Sequence, residues 1–210
     1  VGLPNLELEI YFDGNYVGNT TTQSLGLFSY DLFIPADTTL GDHNVEITFE
    51  GSYFYTASEA NVVSEILART YFESEEMVVF RNEEFFIRSN LVDDLGNPMG
   101  NQHVNLTFYG NKYHLITDSD GLSEQNFTLS PMSKLGIYNS KWEYLGYENY
   151  LPTNSEQTII VKSSTNIQIF SDSEVIVGEN FYFNGTLKDD MGNPMKSTLI
   201  FYFDGNIVET

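Results

Sequence analysis

Cysteine is absent from this chain of 210 residues, and lysine and arginine together number only 9. Without cysteine there is no disulfide framework, no zinc–thiolate site and no thiol nucleophile. Against those few cations stand 30 Asp and Glu, for a formal net charge of −21. Phosphate backbones and anionic membrane surfaces would repel such a chain, so nucleic-acid binding is not expected. The acids are spread out and form no run of five or six, the pattern of a solvated surface rather than an acidic tail. Salt or divalent cations would relieve their mutual repulsion. No apolar run reaches the roughly 18 residues that would span a bilayer. No secretory leader is visible, and the chain opens on Val1, so it reads as a piece of something longer.

Aromatic side chains, by contrast, are abundant: 16 Phe and 14 Tyr, with hydrophobic residues at 41% overall. A disordered chain cannot carry this much apolar surface, so the segment folds. Phe, Tyr, Val, Ile and Thr fill the apolar runs, and these residues suit a pleated, half-buried surface.

Internal repetition organises the whole chain. Asp93-Asp94-Leu95-Gly96-Asn97-Pro98-Met99 returns as Asp189-Asp190-Met191-Gly192-Asn193-Pro194-Met195. Phe12-Asp13-Gly14-Asn15 returns as Phe108-Tyr109-Gly110-Asn111 and as Phe203-Asp204-Gly205-Asn206. Thr22 to Leu27 matches Thr117 to Leu122, Leu40-Gly41 matches Leu135-Gly136, Gly51 matches Gly146, and Tyr55 matches Tyr150. Every spacing is 95 or 96 residues. The expected units are residues 1–67 (the back part of one repeat), 68–163 (a complete repeat) and 164–210 (the front of a third).

Within the complete unit, strand and turn signals alternate. Strands are expected over Met77–Phe80, Phe85–Val92, His103–Tyr109, Lys112–Ile116, Leu122–Leu129, Ile137–Leu145 and Thr158–Lys162. Turns are expected at Asp93–Pro98, at Gly110-Asn111 and at Asp118–Gly121. Ala57–Leu67 has a helical look, but its counterpart Pro152–Ser163 contains Pro152 and Ile159-Ile160-Val161, so both read as a turn and a last strand. Seven short strands in about 100 residues describe an immunoglobulin-like β-sandwich. The expected fold class is all-β, in tandem sandwich repeats. Tyr138 sits where a tyrosine corner would, and His43 takes its place in the first repeat, so the corner does not look strictly kept. The few residues between Val161 and Thr165 imply a semi-rigid joint.

These turn and core motifs resemble the bacterial-type Ig-like repeats of prokaryotic surface proteins. They are most similar to those of long adhesin-like and surface-layer proteins of archaea, and the resemblance covers essentially the whole chain. It implies an extracellular location and a stalk, adhesin, filament or envelope component, with no catalytic residues to carry over.

Candidate chemistry is sparse. His43, His103 and His114 neither cluster nor recur, and no nucleophile elbow, phosphate loop or His-Glu-x-x-His is present. No enzymatic activity and no cofactor are expected. Calcium is the best of the metal ideas, with Asp118 and Asp120 beside Gly121, and Asp93, Asp94, Asp189 and Asp190 near the repeat boundaries. The first repeat has Gln23 and Leu25 in place of Asp118 and Asp120, and turn formation alone accounts for Asp and Gly there. Four glycosylation sequons start at Asn19, Asn105, Asn126 and Asn184. Their number is close to chance, so only an extracellular location would make them acceptors. No lysine recurs for an isopeptide crosslink: Lys188 corresponds to Val92 and Lys196 to Gly100. Tyr53, Phe54, Tyr55, Tyr147 and Tyr150 are expected to pack joints and sandwich ends rather than line a ligand patch.

The expected function is therefore a non-catalytic structural or adhesive segment at the cell surface. Its partners would be neighbouring repeats or copies of itself, head to tail, in a filament or an envelope layer. The alternative is a set of accessory domains of a secreted enzyme or of a carbohydrate-binding surface protein.

Overall fold

In the computed structural model, residues 3–208 are described. Their regular structure is β-strand, with a single 3₁₀ turn at Ser24–Gly26. The stretch 57–67, expected as a turn and a last strand, lies almost wholly in a strand.

Residues 70–162 form a two-layered sandwich. Its strands are β5 (Thr70–Glu73), β6 (Met77–Phe80), β7 (Glu84–Asp93), β8 (His103–Phe108), β9 (Asn111–Ile116), β10 (Leu122–Thr128), β11 (Gly136–Tyr144) and β12 (Thr153–Lys162). One layer has the order β10-β7-β5, the other β6-β12-β11-β8-β9. All pairings are antiparallel except β6 with β12. The opening stretch of the sandwich thus pairs with one layer through β5 and, after Ser74–Glu76, with the other through β6. Seven strands were expected; the eighth, β5, is a four-residue edge strand too short to show a period. This is an immunoglobulin-like sandwich.

Alternation builds its core. On β7, Ile87, Ser89 and Leu91 point inward; on β8, Val104, Leu106 and Phe108; on β11, Ser140, Trp142 and Tyr144; on β12, Gln157, Ile159 and Val161. Ile87, Leu91, Leu106, Trp142 and Ile159 are fully enclosed. Phe72 lies across Trp142 with ring centroids 5.9 Å apart. Phe85, Phe108, Tyr113 and Phe127 close one end of the core through edge and stacked contacts. The polar atoms inside are paired: Gln157 accepts from Trp142 Nε1 (3.2 Å) and Ser140 Oγ (3.3 Å), and donates to the Glu75 carbonyl (2.9 Å).

Ahead of the sandwich, β1 (Glu7–Phe12), β2 (Asn15–Thr21), β3 (Gly41–Phe49) and β4 (Ser58–Ile66) form one sheet in the order β2-β1-β3-β4. They stand 95 or 96 residues before β8, β9, β11 and β12, which have the same order and the same antiparallel pairings. After the sandwich, β13 (Thr165–Ser171) pairs with β14 (Phe183–Asp189), and β15 (Phe201–Phe203) with β16 (Asn206–Val208).

Candidate functional site

The repeated sequence motifs turn out to be repeated pieces of hydrogen-bond chemistry. The hairpins β1–β2, β8–β9 and β15–β16 turn on Asp13-Gly14, Tyr109-Gly110 and Asp204-Gly205, and both residues of each pair have positive φ, near 50° and near 80°. That geometry belongs to a type I′ turn, whose twist matches the flanking strands. The sequence suggested Gly110-Asn111 as the central pair; the structure moves it back by one, because Asn111 already opens β9. Asn111 braces the turn from outside, its amide donating to the Tyr109 carbonyl at 3.5 Å, as Asn15 does to Asp13 and Asn206 to Asp204, both at 3.3 Å.

The acidic motifs are likewise occupied by turns. Asp93 Oδ1 accepts from the Leu95 and Asn97 amides, and its Oδ2 accepts from the Asn97 side chain. Asp189 repeats all three bonds with Met191 and Asn193. Asp118 Oδ1 accepts from the Asp120 and Leu122 amides, both at 2.9 Å. These carboxylates act as turn acceptors. Among the described residues, no group of three or more His, Cys, Asp or Glu is arranged to share a metal ion. A buried threonine recurs as a clasp that was visible in the sequence only as a landmark. Thr117 Oγ1 accepts from the Gln102 amide (2.9 Å) and donates to the Met99 carbonyl (2.6 Å). Thr22 does the same with Leu6 (3.0 Å) and Leu3 (2.5 Å).

The corner is where the structure corrects the sequence reading most usefully. Tyr138 donates its hydroxyl to the Lys134 carbonyl at 2.8 Å, four residues upstream, and stacks on Tyr109 with centroids 4.7 Å apart. Burial, then the hydroxyl of Tyr138, pushes the Tyr109 phenol well above its ordinary range. His43 keeps the same bond: its Nε2 reaches the Thr39 carbonyl, again four residues upstream, at 2.7 Å. Its Nδ1 meets Asp13 Oδ2 at 2.6 Å, Asp13 being the counterpart of Tyr109. Hydrogen-bond reach, not the phenol as such, is what the corner requires.

Two joints link the sheets in sequence. At the first, Ala68 pairs with Tyr150 in a parallel bridge, with the Ala68 amide on the Asn149 carbonyl and the Leu151 amide on the Ala68 carbonyl, each at 2.9 Å. Turned to satisfy both neighbours, the Asn149 amide donates to Glu65 (3.2 Å) and accepts from the Gly41 amide (3.3 Å). At the second, Arg81 donates Nε to Asp190 Oδ2 at 3.1 Å and Nη2 to Asp190 Oδ1, while Ser163 Oγ donates to the same Oδ1 at 2.8 Å. The guanidinium first, then Ser163, holds the Asp190 carboxyl below its ordinary range. Nothing in the repeat pattern pointed to Arg81.

Of the loop aromatics, Tyr150 alone sits in a joint. Tyr53 and Phe54 stand almost fully exposed, edge to face with each other at 4.9 Å, and Tyr55 and Tyr147 are also exposed. The sequons divide as well. Asn19, Asn126 and Asn184 are exposed, and the first two donate to Glu7 and Glu84. Asn105 is only 8% exposed, because β8 is an inner strand and His114 and Glu143 flank it on the same face. The Asn105 amide is therefore largely covered in the folded sandwich. His103 and His114 are exposed and apart from His43. A concavity of about 930 Å³ opens beside Phe72, Glu75, Met77, Phe85 and Arg88. Gln157, which also lines it, is engaged within the protein by Trp142, Ser140 and the Glu75 carbonyl.

No protein-family model matches this chain, and no curated protein matches its sequence. Solved structures share a partial likeness. A tetra-tandem repeat from the extending region of a large adhesion protein is 12% identical, with 92% of this chain and 55% of that one covered, at a TM-score of 0.34. A Ca²⁺-stabilized adhesin of an Antarctic bacterium is 10% identical, with coverages of 81% and 44% and a TM-score of 0.31. Domains 4 and 5 of the S-layer protein SbsC are 12% identical, with coverages of 73% and 98% and a TM-score of 0.32. The chain spans about half the length of the first two.

Proposed function

We propose that this chain is a non-catalytic structural and adhesive segment of a cell-surface protein, built from Ig-like repeats of about 95 residues divided at 1–67, 68–163 and 164–210. One observation carries the reading. The hairpin turn, the threonine clasp, the corner bond and the Asp–Asn turn each recur at one period, and hydrogen-bonded joints link successive segments. Chemistry repeated along the chain serves strand order and joint geometry. Such an array sets a length and presents an acidic surface, and neighbouring repeats or copies of the chain supply its contacts, in a stalk, a filament or a layer. Exposure favours Asn19, Asn126 and Asn184 as glycan acceptors over Asn105.

Small-angle scattering over a concentration series tests the reading. A compact chain of this length would have a radius of gyration of about 17 Å. A string of sandwiches gives a value well above that, with a rod-like distance distribution at the lowest concentration. A compact monomer at that concentration would overturn the array. Mass spectrometry of peptides from the native protein decides the glycan assignment.

A further inference from the structure

We propose that His43 is a proton-dependent clasp that ties the Asp13-Gly14 hairpin to β3, so that raising the pH loosens this end of the β1–β4 sheet while the Tyr138 corner stays closed. The geometry begins with the two ring nitrogens. Nδ1 faces the Asp13 carboxylate at 2.6 Å and Nε2 faces the Thr39 carbonyl at 2.7 Å, and neither of these oxygens has a hydrogen to give; the Thr39 hydroxyl, which has one, stands farther from Nε2 at 3.5 Å. Both bonds therefore exist together only when both nitrogens carry hydrogen, in the imidazolium. The ring is 7% exposed and lies flat on Phe12, with centroids 5.1 Å apart and planes 8° from parallel. Asp13 also accepts from the Asn44 amide through its other oxygen at 2.9 Å, so the carboxylate bridges the side chain and the backbone of β3.

The charged surroundings all push the same way. Residues 1–68 contain 10 Asp and Glu and no Lys or Arg, which leaves His43 as the sole side chain there able to become a cation. Asp13 comes from the β1–β2 turn, and Asp42 adjoins His43 on β3. On β4, Ser64 lies opposite His43 and Glu65 opposite Asp42; on β1, Phe12 and Tyr11 lie opposite Val45 and Glu46. The bond to Asp13, then the Thr39 carbonyl, raises the imidazole above its ordinary value of 6.5. The bond from His43, then the Asn44 amide, holds the Asp13 carboxyl below 3.8. The signs follow from linkage. The His43 contribution is complete below 6.5 and is lost as pH rises through the raised folded-state value. The Asp13 contribution is complete above 3.8 and is lost as pH falls through the lowered one. The clasp is shut below pH 6.5 and opens on the alkaline side of that value through His43. In the central sandwich the equivalent pair, Tyr138 and Tyr109, makes its corner bond with a neutral hydroxyl.

The decisive experiment is a pH titration of the ¹⁵N-labelled 210-residue chain by NMR, following the imidazole nitrogens of His43 with exposed His103 and His114 alongside. Hydrogen exchange of the Asn44 amide is followed in parallel, normalised to amides around Tyr138. Both His43 nitrogens are expected to carry hydrogen at pH 6. Above the His43 midpoint, the normalised exchange rate should climb by up to about tenfold per pH unit. His43→Tyr should flatten that climb, and Asp13→Asn should move the His43 midpoint down. A His43 that is neutral at pH 6, or a normalised rate flat with pH, overturns the proposal. The unsubstituted chain alone decides this, even where a variant does not fold.

Discussion

The sheet β1–β4 and its counterpart β9-β8-β11-β12 have the same strand order and the same turns, yet they are stabilised differently. The counterpart is covered by β10-β7-β5 and buries Trp142, Leu106, Ile159 and their neighbours. In β1–β4 the fully buried hydrophobic residues are Leu8 and Ile10, and Val62 and Val63 stand more than half exposed. Strand pairing, type I′ turns and corner bonds are common to both sheets, while among the described residues the close-packed core lies where two layers face each other. The side chains diverge in step. Where the sandwich has Ser140, Trp142 and Gln157, joined by hydrogen bonds, the first sheet has Val45, Ile47 and Val62.

Core truncation should expose this difference most strongly. Trp142→Ala removes a fully enclosed ring and should cost the sandwich about 3–5 kcal/mol. Ile47→Ala, at the matching place on the first sheet, should cost no more than about 1–2 kcal/mol, since part of that side chain already meets solvent. Denaturant melts followed by circular dichroism would compare them, and equal losses would mean that the first sheet is as well covered as the second. Gln157→Val comes next. It gives the sandwich the residue of the first sheet but strands the Trp142 N–H, the Ser140 hydroxyl and the Glu75 carbonyl, for a loss of about 1–3 kcal/mol. Val62→Gln, at an exposed site, should be close to neutral.

The joints offer a third contrast. The first is made largely by backbone bonds of Ala68, and the second by Arg81 and Ser163 on Asp190. Ser163 and Asp190 correspond to Ala68 and Asp94, so the acid recurs while its partners do not. Arg81→Met should let the Asp190 carboxyl rise back towards its ordinary range, since the guanidinium is the main cause of its depression. Because that pKa is lowered, the bond stabilises the joint above pH 3.8 and is lost as pH falls through the depressed value. A carboxyl ¹³C titration of Asp190 in both proteins would measure the change.

How far the sequence could be read follows the range of each interaction. Turns are local, so Asp93, Asp118 and the Gly110 and Gly205 hairpins could be placed from composition and period alone. β6 fell where its apolar run lay, and β5, with four residues at an edge, carried too little pattern to be seen. Asn105 looked accessible because it alternates with Val104 and Leu106; only the neighbours His114 and Glu143 cover it. The Arg81–Asp190 bond spans 109 residues and joins positions with no shared motif, so no periodicity could announce it. His43 was noticed as an exception to the corner, but its role depends on where its two nitrogens point.

The smallest effect tests the corner itself. Tyr138→Phe removes one hydroxyl, leaves the ring to stack on Tyr109, and frees the Lys134 carbonyl, which solvent can reach. A single neutral bond of this kind contributes about 0.5–1.5 kcal/mol, and the carbonyl's access to water places the loss towards the lower end. The loss should be the same at pH 6 and pH 9, because a neutral hydroxyl donates the bond. His43→Phe keeps a ring over Phe12 but removes both corner contacts, so its penalty should shrink as pH rises and the native imidazolium loses its proton. If both penalties were constant with pH, the two corners would be interchangeable packing contacts, and the proton on His43 would have no part in holding the first sheet.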